Sequence, residues 1–114
     1  YLKDQGLRRF ILAVGFQAEQ VEAYYSENNL GLSIEFSREI SPLGTGGAIK
    51  NAEKFVRSDR FFAMNGDCFC VLNYRDFYDF HNENKNCATL SVAPNCGCFA
   101  FTDSTEEKER SMAD

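Results

Sequence analysis

Hydrophobic and polar positions along the chain alternate between two periods. Phe10-Ile11-Leu12-Ala13-Val14 is an unbroken apolar run rich in branched side chains, too short for a helix core, and Gly15 ends it. Apolar residues on both faces predict a parallel strand covered on both sides. From Gln17 to about Asn28 the positions Ala18, Val21 and Tyr24/Tyr25 recur at helical spacing, with Glu and Gln opposite, until Asn28, Asn29 and Gly31 break the pattern. Leu32, Ile34 and Phe36 then alternate with Ser33, Glu35 and Ser37, a strand with one wetter face. After a loop over Arg38 to Leu43 comes Gly44-Thr45-Gly46-Gly47, and behind it Ala48, Ile49, Ala52, Phe55 and Val56 again follow helical spacing. The glycines therefore lie at a helix entrance, with Thr45 as the expected N-cap.

Phe61-Phe62-Ala63-Met64 is a second fully apolar strand, ending in Asn65-Gly66-Asp67. A further helix starts at Asn73 as N-cap, with Asp76 near its first turn and Tyr74, Phe77, Tyr78 and Phe80 expected inward. Asn84-Lys85-Asn86 stops it, and Ala88 to Ala93 reads as a last strand. Residues 1–5 read as the last turn of a helix closed by Gly6. Strands alternating with helices in this way build a Rossmann-like, three-layer α/β/α fold around a mostly parallel sheet. The chain opens in mid-helix and trails off after the fourth strand, so it reads as an interior fragment of such a fold, lacking a first strand and a C-terminal part.

Composition narrows the function. With 114 residues, 44% hydrophobic and 25% charged, the balance is that of an ordinary globular domain. Twelve basic against seventeen acidic residues give −5, which argues against a sequence-blind grip on nucleic acid or anionic lipid. No run reaches the ~18 apolar residues of a membrane span and no signal segment is visible, so a cytoplasmic location is expected. Residues 95–114 end in an acidic stretch with Met112 as its one large apolar side chain, and are expected to be solvated and disordered. Cys68, Cys70, Cys87, Cys96 and Cys98 are an odd set in C-x-C rather than C-x-x-C spacing, which favours reduced, incidental thiols over a zinc module. His81 sits in a helical pattern beside Phe77 and Phe80 and reads as a packing or surface residue rather than a ligand.

Ligands of open α/β sheets gather at the carboxyl ends of the strands, and three features fall there. Gly44-Thr45-Gly46-Gly47 lets backbone N–H groups approach a ligand at a helix entrance, though it is neither a P-loop nor G-x-G-x-x-G. Asp67 follows the glycine that closes a buried strand, where a carboxylate can hold Mg²⁺ together with phosphate oxygens and water. Glu39 precedes the glycines, a place where a solvent-exposed glutamate would be unremarkable by itself.

Pro42-Leu43-Gly44-Thr45-Gly46-Gly47-Ala48, followed by Phe61-Phe62-Ala63-Met64-Asn65-Gly66-Asp67, resembles the sugar-1-phosphate nucleotidyltransferases. The likeness runs over residues 1–94 and is nearest the guanylyltransferases acting on mannose 1-phosphate or heptose 1-phosphate. The resemblance implies an enzyme that joins a nucleoside triphosphate to a sugar 1-phosphate with Mg²⁺, releasing pyrophosphate. It implies that Leu43, Gly44 and Thr45 line the nucleobase, that Asn65 and Gly66 complete the second motif, and that Asp67 binds the metal. In that setting Glu39 points to GTP. Guanine presents two adjacent donors, which one carboxylate can accept and a glutamine amide cannot. The family's opening Gly-rich signature and its second metal-binding aspartate are absent from these residues, so the 114-residue chain alone is expected to be inactive. The alternative is a regulatory module that binds a nucleotide or nucleotide sugar without turnover. Either reading needs the glycine bend and Asp67 to share one rim of the sheet.

Overall fold

The computed structural model describes residues 1–68 and 71–91 and the backbone of Phe99–Asp103. The chain divides into two compact units, Tyr1–Val56 and Arg57–Asp114.

The first unit opens on a turn rather than an assigned helix. Gly6 N–H donates to Lys3 C=O (3.0 Å) and Leu7 N–H to Leu2 C=O (3.2 Å), with Gly6 at φ +93°. This is the paired-bond termination that glycine permits, so the expected helix end is present in its final turn only. Strand β1 (Arg9–Val14) pairs in parallel with β2 (Ser33–Arg38), from Arg9↔Ser33 to Val14↔Arg38. Helix α1 (Ala18–Glu27) makes the crossover, and α2 (Gly44–Ala52) runs into a short 3-10 turn, Glu53–Phe55.

Both α1 and α2 contact β2. Val14 and Ala18 are buried, while Ala13 is exposed and Ile11 and Leu12 are half-buried, so the expected two-sided burial of β1 is only partly realised. A unit of two strands and two helices has too little apolar surface to cover both faces. The wetter face assigned to β2 also needs correction, because Ser37 is 0% exposed. Its hydroxyl accepts a hydrogen bond from Asn51 Nδ2 on α2 at 3.1 Å, which lets a polar side chain occupy a buried position. At the other end of the strands Arg9 reaches the Glu35 carboxylate and the Phe55 carbonyl, tying β1 to β2 and to the end of the 3-10 turn.

In the second unit β3 (Arg60–Met64) and β4 (Ala88–Ser91) flank β5 (Phe99–Asp103), which is antiparallel to both. The two flanking strands thus point the same way, as an alternating α/β chain requires. The antiparallel strand between them lies in a stretch expected to be solvated: the five-residue segment Phe99–Asp103 satisfies its backbone groups against two neighbours. Residues 69–70, 92–98 and 104–114 lie outside the described residues, and with them Val92 and Ala93 of the expected last strand and most of the acidic stretch.

Helix α3 (Tyr74–Asn84) begins as expected, with Asn73 Oδ1 accepting from Arg75 N–H (3.1 Å) and Asp76 N–H (3.2 Å). It ends at Lys85, in the left-handed region at φ 50°. Its inner face differs from the expected one. Tyr74, Phe77 and His81 are buried, at 3%, 8% and 1% exposure, whereas Tyr78 is exposed and Phe80 is 53% exposed. Positions 74, 77 and 81 follow the i, i+3, i+7 stripe that one face of a helix must have, and Phe80 falls off it. Phe62 of β3 meets the Tyr74 ring edge-on at 5.3 Å and stacks on Phe77 at 6.0 Å. His81 Nδ1 and Thr89 Oγ1 of β4 lie 2.8 Å apart, so the histidine is a packing residue with a hydrogen-bond partner.

Candidate functional site

In the first unit the site begins where β1 and β2 end. The parallel ladder continues one step past the strands, with Glu39 N–H donating to Val14 C=O at 2.8 Å. That bond fixes the Glu39 backbone beside Gly15, the residue after β1. A side chain on Gly15 would come within 3.8 Å of Glu39 Cβ and 3.9 Å of Oε2, so glycine keeps that flank of the carboxylate open. Glu39 is half-buried, and its Oε2 accepts from Leu43 N–H at 3.3 Å.

This bond changes the expected capping of α2. The helix starts at Gly44, its N-cap position is Leu43, and no side chain of the N-cap residue bonds back to the helix. Thr45 lies within the first turn and is exposed, so it does not cap. The Glu39 carboxylate takes one of the donors at the helix entrance instead, and negative charge there is also favoured by the helix dipole. Gly44 sits at φ +71°, a backbone conformation open to glycine at little cost. Gly47 is required for a different reason: a Cβ on it would lie 2.7 Å from Leu43 Cβ.

Two residues of this arrangement were not singled out by sequence reasoning. Asn51 Nδ2 donates to Ser37 Oγ and to the Arg38 carbonyl, both at 3.1 Å, and so ties α2 to the last two residues of β2, next to Glu39. The signal in the sequence is slight: Asn51 is a polar residue three positions after Ala48, at the edge of the apolar stripe of its helix. Arg38 is turned away to α1, where its guanidinium meets Glu22 (3.0 and 3.1 Å) and Glu19 (3.1 Å). Hydrogen bonding to Glu22 and the charge of that carboxylate, with a smaller contribution from Glu19, hold Arg38 above its ordinary, already high pKa.

In the second unit Asn65, Gly66 and Asp67 form the exposed turn after β3, closed by Cys68 N–H donating to Asn65 C=O at 3.3 Å. The Asp67 carboxylate faces solvent and accepts a weak hydrogen bond from the Cys68 thiol at 3.5 Å. Among the described residues no three His, Cys, Asp or Glu side chains group as a ready-made metal cage. A lone, accessible carboxylate is nevertheless the donor that Mg²⁺ takes when phosphates and water fill its other positions. Cys68 and Cys87 are thiols outside any disulfide, and Cys70, Cys96 and Cys98 lie outside the described residues. No described helix is long and apolar enough to cross a membrane.

A carboxylate and a glycine-rich helix entrance here stand at the carboxyl ends of parallel strands, the place where open α/β sheets bind their ligands. The profile of the Nucleotidyl transferase family matches residues 2–96, and the chain belongs to that family. It is 41% identical over 90 residues to a D-glycero-alpha-D-manno-heptose 1-phosphate guanylyltransferase of Campylobacter jejuni, covering 79% of this chain and 39% of that protein. It is 35% identical over 91 residues to a mannose-1-phosphate guanyltransferase of Gibberella zeae, covering 76% and 25% respectively. Its fold matches crystalline HddC from Yersinia pseudotuberculosis complexed with GMP-PN, with a TM-score of 0.74 and 26% identity over 90% of this chain and 59% of that one. The chain thus spans between a quarter and three fifths of the length of these relatives, and the Rossmann-like α/β fold expected from its pattern is the fold it has.

Proposed function

We propose that the full-length protein is a guanylyltransferase that joins GTP to a sugar 1-phosphate and releases pyrophosphate, and that this chain supplies part of its nucleotide-binding half. The observation that carries this reading is the Glu39 carboxylate, held at the end of β2 beside Gly15 with one oxygen on Leu43 N–H. A carboxylate has about four acceptor positions, so one bond to Leu43 leaves enough for the two adjacent donors of guanine. A glutamine would spend its oxygen on Leu43 N–H and turn amide donors toward the base. Relatives that are heptose-1-phosphate and mannose-1-phosphate guanylyltransferases support the same nucleotide.

In this reading Leu43, Gly44 and Thr45 border the base, Asn65 and Gly66 complete the second motif, and Asp67 would hold Mg²⁺. The metal, when bound, offsets the charge of the phosphates. The sugar phosphate oxygen attacks the α-phosphorus of GTP in line, the bond to the β-phosphate oxygen breaks, and pyrophosphate leaves. What the chain contributes is placement of the base and of a carboxylate near the phosphates, the effects that dominate phosphoryl-type transfer. The 114 residues alone make no nucleotide sugar, because the Arg- and Lys-bearing Gly-rich segment for the triphosphate is not among them. In the same reading the enzyme works in the cytoplasm.

The test is nucleotide preference in the full-length protein carrying Glu39→Gln, with mannose 1-phosphate and heptose 1-phosphate as acceptors and pyrophosphate release as readout. Leaving a guanine donor unmet lowers kcat/KM for GTP by about tenfold to a hundredfold, with little change for UTP. Unchanged GTP selectivity removes the role of Glu39. Nucleotide binding without pyrophosphate release from the unmodified protein overturns the enzyme reading in favour of a regulatory module.

A further inference from the structure

We infer, building on the GTP reading above, that Asn51 is a positioning residue for base selection, setting the Glu39 carboxylate through the bonds that tie α2 to the end of β2. Three connections link the strand end to the helix. The chain itself runs from Arg38 through residues 39–43. Glu39 Oε2 takes the Leu43 N–H at the helix entrance. Eight residues further on, two turns up the same helix, Asn51 Nδ2 bonds both the Ser37 hydroxyl and the Arg38 carbonyl. With the far end of α2 tethered to Ser37 and Arg38, the last residues of β2, and its entrance tethered to Glu39 just beyond them, the helix has little freedom to slide or roll against the strand that leads into Glu39.

Burial makes the tether costly to break. Ser37 is fully buried, and Asn51 is the partner that satisfies its hydroxyl, so removing Asn51 costs a buried group its hydrogen bond. The contact of Gly47 on Leu43 adds a steric stop at the helix entrance, since no side chain fits between them. Asn51 makes no side-chain hydrogen bond to the Glu39 carboxylate or to Leu43. Its effect on a base at Glu39 is transmitted by the position of the helix entrance, where a displacement of a fraction of an ångström weakens the Leu43 bond and frees the carboxylate to rotate.

The test uses the full-length protein with Asn51→Ala, Ser37→Ala, Glu39→Gln and the double variant Asn51→Ala/Glu39→Gln, read as KM and kcat for GTP and for UTP. Asn51→Ala is expected to raise KM for GTP about fivefold to tenfold with kcat within twofold, and to narrow the preference for GTP over UTP. Ser37→Ala, which keeps the Arg38 carbonyl bond, should do the same more weakly and serves as the readout if Asn51→Ala fails to fold. In the double variant the loss of GTP preference should be no greater than in Glu39→Gln alone, because Asn51 acts through that carboxylate. Additive losses, or equal loss of activity with both nucleotides, mean that Asn51 merely supports the fold, and overturn the inference. If Glu39→Gln itself leaves GTP preference intact, the GTP reading fails first, a result distinct from the other two.

Discussion

Replacing Gly47 by alanine, with Gly46→Ala as its control, measures how tightly the entrance of α2 is packed. Both glycines lie in the first turn of one helix at negative φ, so alanine suits the backbone at either. Elsewhere in a helix the exchange stabilises by up to about 1 kcal/mol, because glycine surrenders more chain entropy on folding. Gly46 is exposed and a Cβ there meets nothing within 4 Å, so Gly46→Ala should realise most of that gain. At Gly47 the new Cβ would stand 2.7 Å from Leu43 Cβ and 3.8 Å from its Cγ. Both Cβ atoms are fixed directly to the backbone, so a rotamer change cannot relieve the clash and residue 43 or the turn must move. Overpacking of this kind costs about 1–3 kcal/mol.

The two neighbouring variants should therefore differ by about 1–3 kcal/mol, with Gly46→Ala the more stable. Hydrogen exchange of the α2 amides in the full-length protein reads this locally, independently of how the rest of the molecule unfolds. Because Leu43 carries the N–H bonded to Glu39, Gly47→Ala should also weaken GTP binding while Gly46→Ala leaves it near the unmodified value. Equal protection in the two variants, or a more protected helix in Gly47→Ala, would refute the close contact and with it the steric stop at the helix entrance.

The second unit offers two further tests of packing. Asn73→Ala removes the acceptor of two helix N–H groups and should cost about 1 kcal/mol, read as faster exchange of the first-turn amides of α3, whereas Asn73→Asp should be nearly neutral. Phe77→Ala, which takes away a buried ring stacked on Phe62, should cost about 3–5 kcal/mol of unfolding free energy, against less than about 1 for Phe80→Ala on the exposed face. Equal costs at 77 and 80 would show that the helix face has been assigned wrongly.

What could be read from the sequence follows how far each interaction reaches along the chain. The strands at Phe10–Val14 and Phe61–Met64, the stop at Gly6 and the cap at Asn73 depend on residues within a few positions of one another, and local pattern reveals them. Hydrophobicity alone puts Tyr78 and Phe80 on the inner face of α3, but angular position decides: His81, polar and fully buried, holds the place that its phase on the helix demands. Ser37 and Asn51 show the limit more sharply. Each is polar and looks suited to solvent when taken singly, and only their pairing across 14 positions, with the Arg38 carbonyl as second acceptor, makes burial favourable. The same reasoning separates Thr45 from Glu39. Threonine is the better N-cap by composition, but the strand ladder through Glu39 N–H and Val14 C=O had already brought a carboxylate to the helix entrance. A residue delivered by tertiary structure thus displaced the one favoured by local propensity, and it is the residue on which nucleotide choice is proposed to turn. On that proposal capping and base recognition share a single side chain, and a carboxylate, with acceptor positions to spare, serves both better than any amide.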